Sequence, residues 1–234
     1  MKKQVRVFII CFMCVVGSVM AQGGNEFVVP LSDPAKRGKL KAHLNSGSIT
    51  VKGTARKDVL VRYKNSEDGG DDDHDHDRED KSKPKDGLRR VSGGGMDLEA
   101  SESNNYVVIQ SNSWNNSINL EIEVPAGFDV EAHTYNDGDL MLTNLQGQLE
   151  LTNYNGEITA LNISGSVVAT TYNGEIKVAF DKVTENTPMS YVTYNGDVDL
   201  SFPATFKAST KMKTEQGEIY TGFEMNVTST GPKQ

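Results

Sequence analysis

TNYNGEITALNISGSVVATTYNGEIKV, residues 152–178, says one short phrase three times, at Gly156, Gly165 and Gly174. Outward from it the same phrase recurs as DGDLML at Gly138, QGQLEL at Gly147, NGDVDL at Gly196 and QGEIYT at Gly217. The five glycines from 138 to 174 stand nine residues apart without a slip. Apolar residues follow each glycine at plus two and plus four: Leu140/Leu142, Leu149/Leu151, Ile158/Ala160, Val167/Ala169, Ile176/Val178 and Val198/Leu200. That is the strand period, so each pair shares one face of a strand. In the last copy Ile219 keeps the first place and Thr221 breaks the second. Asp, Gln, Asn or Ser precedes every glycine, marking a tight corner where positive φ is tolerated.

Two kinds of corner alternate. Tyr-Asn(-Asp)-Gly followed by an acid occurs at Gly138, Gly156 and Gly174, and Leu-Gln-Gly-Gln or Ile-Ser-Gly-Ser at Gly147 and Gly165. The extra Asp137 pushes Tyr135 back one place and suggests a local bulge. A nine-residue segment is under ~30 Å long and cannot bury its own apolar face; stacked copies can. A β-meander would share the nine-residue beat, but the alternation makes the full unit two strands. The expected fold is therefore all-β: a single-stranded, flattened β-solenoid (a β-helix or β-roll) of about 18–22 residues per coil, with like strands ~4.8 Å apart.

The chain of 234 residues is long enough for one such domain. Its start has a basic end (Lys2, Lys3, Arg6), an apolar stretch from Val7 to Val16, and Val19-Met20-Ala21 as a small-residue cleavage site. Residues 1–21 read as a signal peptide, the apolar run being too short for a membrane span. Its removal lowers the formal net charge from −8 to −11 and takes away both cysteines, Cys11 and Cys14. No small-residue box precedes Cys14, which argues against a lipid anchor. An acidic, thiol-free chain does not suit nucleic acid, whose binders are basic.

Residues 22–63 read as N-terminal strands, a first coil or a cap, with Gly47 as corner and DVLVRY (Asp58–Tyr63) as a following strand. Residues 64–95 are expected to be a disordered acidic insertion, since Lys64 to Gly87 carries almost no apolar residue to repay its ordering. Residues 96–234 form the repeat region, one domain with 22–63, entered through the strand SINLEIEVPAGFDVEA and ending in a tail that adds at most one edge strand.

FVVPLSDPAKRGKLKAHLNSGSITVKG near the start, LEIEVPAGFDVEAHTYNDGDLML, and the copies TNYNGEI, TTYNGEI and VTYNGDV resemble the bacterial adhesin-like domains of unknown function, exported proteins built of β-strand repeats. The signal ending Met20-Ala21-Gln22 is similar to those of Bacteroidota-type exported proteins. The resemblance covers most of the mature chain and implies a β-solenoid in the cell envelope. It implies no activity, and the acidic insertion lies outside its pattern.

Three groups of residues invite chemistry. Asp71, Asp72, Asp73, His74, Asp75, His76 and Asp77 are candidate ligands for Ca²⁺ or another divalent cation, although their spacing is not that of an EF-hand and a solvated loop is the expected reading. Asp139, Glu157, Glu175, Asp197 and Glu218 follow the glycines as a column of acids. Neighbours ~4.8 Å apart in water repel by only about 1 kcal/mol, so the column requires no cation. Tyr154/Asn155, Tyr172/Asn173 and Tyr194/Asn195, with Tyr135 and Asn136 offset, form a ladder that is either packing or a sugar-binding strip. By sequence parity these tyrosines fall with Leu145 and Ile163, which favours packing.

No mature cysteine exists, and His43, His74, His76 and His133 stand near no nucleophile elbow, so no catalytic residue is expected. The expected function is a non-enzymatic, adhesin-like module of the periplasm, cell surface or medium, without a cofactor. Its expected partner is an envelope protein or glycan, with self-association through solenoid ends as a further expectation. The rivals are a polysaccharide-active β-helix enzyme and cation binding by the acidic insertion.

Overall fold

The structure, a computed structural model, describes residues 21–22, 25–65, 89–90, 98–224 and 226. The described residues are all-β, with no helix, and so with none long and apolar enough to cross a membrane. The strands are β1 Ala21–Gln22, β2 Glu26–Pro30, β3 Lys39–Ser46, β4 Ile49–Thr54, β5 Asp58–Asn65, β6 Arg89–Arg90, β7 Leu98–Ser103 and β8 Tyr106–Ser111. They continue as β9 Ile118–Pro125, β10 Asp129–Asn136, β11 Leu140–Thr143, β12 Gln148–Asn155, β13 Ile158–Asn173, β14 Ile176–Val183, β15 Ser190–Asn195 and β16 Val198–Ser201.

The chain divides into two units, residues 1–204 and 205–234. In the first, strands pair in two mixed ladders. One runs β1-β2-β5-β9-β4-β11-β13-β14-β16, the other β6-β7-β8-β3-β10-β12-β13-β15. β13 belongs to both: its first half pairs with β11 and β14, its second with β12 and β15. The repeat region is parallel and in register. Leu140 faces Ile158, Ile158 faces Ile176, and Ile176 faces Val198, while Val130 faces Leu149 and Leu149 faces Val167. Every second glycine of the nine-residue beat thus marks the same corner one level on in a solenoid-like fold. Leu140, Leu142, Leu149, Leu151, Ile158, Ile163, Val167, Ile176 and Val178 are buried in one apolar cluster. Each such side chain contributes roughly 1.5–3 kcal/mol relative to exposure.

The corner at Gly47 does not close an end of the stack. β3 lies between β8 and β10, and β4 between β9 and β11. The chain thus lays down one level, β3–β4, and later adds β8–β9 on one side of it and β10–β11 on the other. Beyond β8 and β9 the ladders turn antiparallel, through β7 and β6 on one side and β5, β2 and β1 on the other. A solenoid alone does not predict that, because the strand period is the same for parallel and antiparallel neighbours.

The seventh copy, at Gly217, forms no strand. The second unit carries no strand among its described residues, and Ile219, Tyr220 and Phe223 are exposed. This copy has Glu215 where the others have Tyr, Leu or Ile, and Thr221 at the second apolar place. Residues 1–20 of the expected signal peptide and the candidate ligands Asp71, Asp72, Asp73, His74, Asp75, His76 and Asp77 lie outside the described residues; Ala21, the last residue of that expected segment, begins β1, Lys64–Asn65 end β5, and Arg89–Arg90 pair with β7.

Two contacts set the register. A Cβ added to Gly174 would lie 2.1 Å from the Gly156 carbonyl oxygen, and one on Gly156 would lie 2.2 Å from that of Gly138. The second corner repeats this: a Cβ on Gly165 would lie 2.0 Å from the Gly147 oxygen. Each level therefore lies against the one before through a spot where no side chain fits. Just inside the Tyr-type corner a polar side chain holds the same oxygen. Thr134 Oγ1 donates to Gly47 at 2.7 Å, Asn153 Nδ2 to Gly138 at 2.8 Å, Thr171 Oγ1 to Gly156 at 3.0 Å and Thr193 Oγ1 to Gly174 at 2.9 Å. Asn153 is the exception in kind, and its buried Oδ1 has no partner.

Gly174→Ala is expected to lower unfolding free energy by about 3 kcal/mol or more, because the oxygen it would strike is backbone. Gly127→Ala, where nothing lies within 4 Å, is expected to stay within about 1 kcal/mol. Urea denaturation compares them, and equal effects would refute the stacking contact. Asn153→Thr keeps the donor and removes the unsatisfied acceptor; a gain of about 1 kcal/mol in the same assay is expected, and a loss would contradict this account.

Candidate functional site

Along β12 the side chains alternate strictly: Leu149, Leu151 and Asn153 point inward, while Gln148, Glu150, Thr152 and Tyr154 point outward. The chain turns only after Tyr154, at Gly156. Tyr154 therefore keeps the outward parity of its strand. The other corner behaves differently. Asn144 and Asn162 adopt left-handed φ of 58° and 57°, which turns the next residue inward, and Leu145 and Ile163 are wholly buried. The equal sequence offsets of tyrosine and leucine thus conceal opposite faces. The expectation that the tyrosines pack in the core is corrected by this difference.

The result is a row of aromatic rings on the outer face of the ladder that contains β10, β12, the second half of β13, and β15. Tyr135 stacks on Tyr154 at 4.7 Å and 7°, Tyr154 on Tyr172 at 5.0 Å and 4°, and Tyr172 on Tyr194 at 4.7 Å and 3°. Trp114 meets Tyr135 edge-on at 5.4 Å. Tyr135, Tyr154 and Tyr172 are 39–40% exposed and Tyr194 is 72% exposed. Because interior rings cover one another's faces, they offer solvent their edges and phenol hydroxyls. Only the ends of the row offer an aromatic face.

A second row runs beside it. Asn173 Nδ2 donates to Asn155 Oδ1 at 2.8 Å, and Asn195 Nδ2 to Asn173 Oδ1 at 2.8 Å. At the opposite corner Asn162 donates to Asn144 at 3.1 Å. These amides fix the corners, and so the spacing of the rings.

The same face is charged near the other end of its strands. Glu131 lies 2.6 Å from Lys39 and 2.8 Å from Lys41, and the two ammonium groups hold its carboxyl below the usual range. Between this cluster and the rings, His43 and His133 meet edge-on at 4.8 Å. Burial of His133, then the neighbouring His43 and Lys41, pushes its imidazole below the ordinary value, against the smaller opposing pull of Glu131.

The acids after the glycines align as the sequence implies for Asp139, Glu157, Glu175 and Asp197, which directly precede the paired Leu140, Ile158, Ile176 and Val198. Asp139 Oδ1 accepts the Glu157 backbone N–H at 2.8 Å, so part of the column caps backbone. Glu218 stands in the second unit, whose described residues form no strand, bonded to the Tyr220 hydroxyl. Among the described residues no cluster of three or more His, Cys, Asp or Glu is placed to hold a metal. A shallow cleft of about 290 Å³ beside β5 is lined by Glu26, Arg62, Tyr63 and Glu121, and Arg62 is engaged there by Glu26 and Glu123.

A histidine whose folded value is lowered binds fewer protons in the native state. Stability is therefore lost as pH falls through 6.5 toward the lowered value. Between pH 7.5 and 5.5, above the carboxylate range, denaturation is expected to show this loss, and His133→Gln is expected to reduce it. An unchanged pH slope in the variant would contradict the assignment.

No curated protein matches the sequence. Among solved structures, a putative cell adhesion protein from Clostridium sporogenes ATCC 15579 is similar over 75% of this chain and 98% of its own, at 11% identity and a TM-score of 0.46. The Toastrack DUF4097 family profile matches residues 34–233, nearly the whole span of paired strands and both rows of corners. The chain belongs to the Toastrack DUF4097 family.

Proposed function

We propose that this protein is an exported, non-enzymatic, adhesin-like module of the cell envelope that binds through the face carrying the tyrosine row. The fold beneath that face is a single-stranded solenoid from β10 to β16, a reading supported by the in-register offsets between successive levels. Export rests on the basic and apolar start of the sequence.

The exposed aromatic row carries the functional reading. The outward positions of a solvated sheet ordinarily take polar side chains, as Glu150 and Thr152 do here. Four tyrosines and a tryptophan in one exposed line are a concentration of the residues that dominate binding hot spots. The row is rigid, because Tyr154 and Tyr172 are clamped between neighbouring rings and the corners at Gly156, Gly174 and Gly196 are tied by asparagine bonds. Its 4.7–5.0 Å beat of ring edges and hydroxyls suits an extended, repetitive partner such as an envelope glycan better than a compact small molecule.

The test is binding of the mature chain to a panel of bacterial and host polysaccharides, with Tyr154→Ser/Tyr172→Ser beside it. Binding to at least one polymer, weakened tenfold or more in the variant, is expected. Equal binding by both, no binding by either, or release of reducing or unsaturated sugar ends would overturn the proposal.

A further inference from the structure

The two ends of the stacked strands are finished differently. At one end, β8 is followed by β7 and then by the two-residue β6, while β9 is followed by β5, β2 and the two-residue β1. Very short outer strands are a usual protection of a sheet edge. At the other end, among the described residues, β15 pairs only with β13 and β16 only with β14. β15 reads SYVTYN, with no lysine, proline or acid to discourage pairing, and with residues that favour strands.

Side-chain exposure changes at that level. Val198 is 42% exposed, whereas Ile176, its partner one level back, is 0% exposed. Tyr194 likewise shows solvent the ring face that Tyr154, Tyr172 and Tyr135 keep covered. The inward apolar column therefore runs out into solvent at β16 just as the backbone pairing stops.

We propose that this open end is a homodimer interface, at which β15 and β16 of one copy pair antiparallel with the same strands of a second. The occupant follows from geometry. The end offers two strand edges together, one in each ladder, joined by the corner at Gly196. A single extended peptide would satisfy one edge and leave the other bare. A second copy presents both at the same separation, and a twofold axis in the plane of the end reverses strand direction, giving antiparallel ladders on both sides. The contact is isologous and its opposite end is capped, so assembly stops at two rather than growing into a filament. The only charged residue in these strands, Asp199, has Lys177 3.6 Å away, which limits repulsion across the axis.

Sedimentation velocity on the full mature chain between about 1 and 100 µM tests this. A concentration-dependent shift from monomer to dimer is expected, with Val192→Lys/Val198→Lys remaining monomeric across the range. In parallel, hydrogen exchange on the unmodified protein is expected to slow at residues 190–201 as concentration rises, which needs no variant to fold. A monomer at every concentration, species larger than a dimer, a dimer that survives the double substitution, or amides at 190–201 protected independently of concentration would each overturn the proposal. None of these readouts depends on a polysaccharide, so failure here is distinguishable from failure of the binding face.

Discussion

A carbonyl oxygen occupying the place of an absent side chain is the constraint on which this structure depends. At Gly156, Gly174 and Gly196 the preceding level's glycine oxygen lies 2.1–2.2 Å from where a Cβ would be. Hydrophobic burial alone does not fix register between parallel strands whose inward residues are all Leu, Ile, Val or Ala, because a slip of two residues would bury nearly the same area. The glycine contact allows one register, since any other brings a side chain against backbone. Threonine or asparagine then binds the same oxygen from within, so steric permission and hydrogen bonding select the same alignment.

From that register the outer surface follows. Levels in register must stack like residues, and whatever the corner carries becomes a column. Asparagine gives a chain of amide bonds, acid gives a row of carboxylates, and tyrosine gives parallel rings. The tyrosines gain contact from one another on a surface where isolated rings would stand in water, which explains how an aromatic row can persist outside the core. The aromatic face is thus a consequence of the repeat, and its rigidity comes from the core beneath it.

Much of this was legible in the sequence. The period-two pairs after the five glycines from 138 to 174 named the buried columns, though Val198 and Ile219 in the last two copies are exposed, and the alternating corners named the eighteen-residue unit. The face of the tyrosines was not legible. Tyr154 and Ile163 hold the same offset from a glycine, and their opposite directions depend on whether the glycine or Asn162 carries the turn. Asparagine in a strand-like run was the available signal, because it is among the few residues that adopt left-handed φ readily. Placing β3–β4 between later strands was also beyond the pattern: a repeat says that copies stack, and every copy offers the same two edges. The missing strand at Gly217 was foreshadowed by Glu215, two places before the glycine, and by Thr221 at the second apolar place, although Ile219 keeps the first.

Oxidative tyrosine cross-linking followed by peptide mapping reads the stacking order directly, because dityrosine forms only between rings that touch. The account predicts links between Tyr135 and Tyr154, Tyr154 and Tyr172, and Tyr172 and Tyr194. Links that skip a level, such as Tyr135 to Tyr172, with the adjacent pairs left uncoupled, would contradict it.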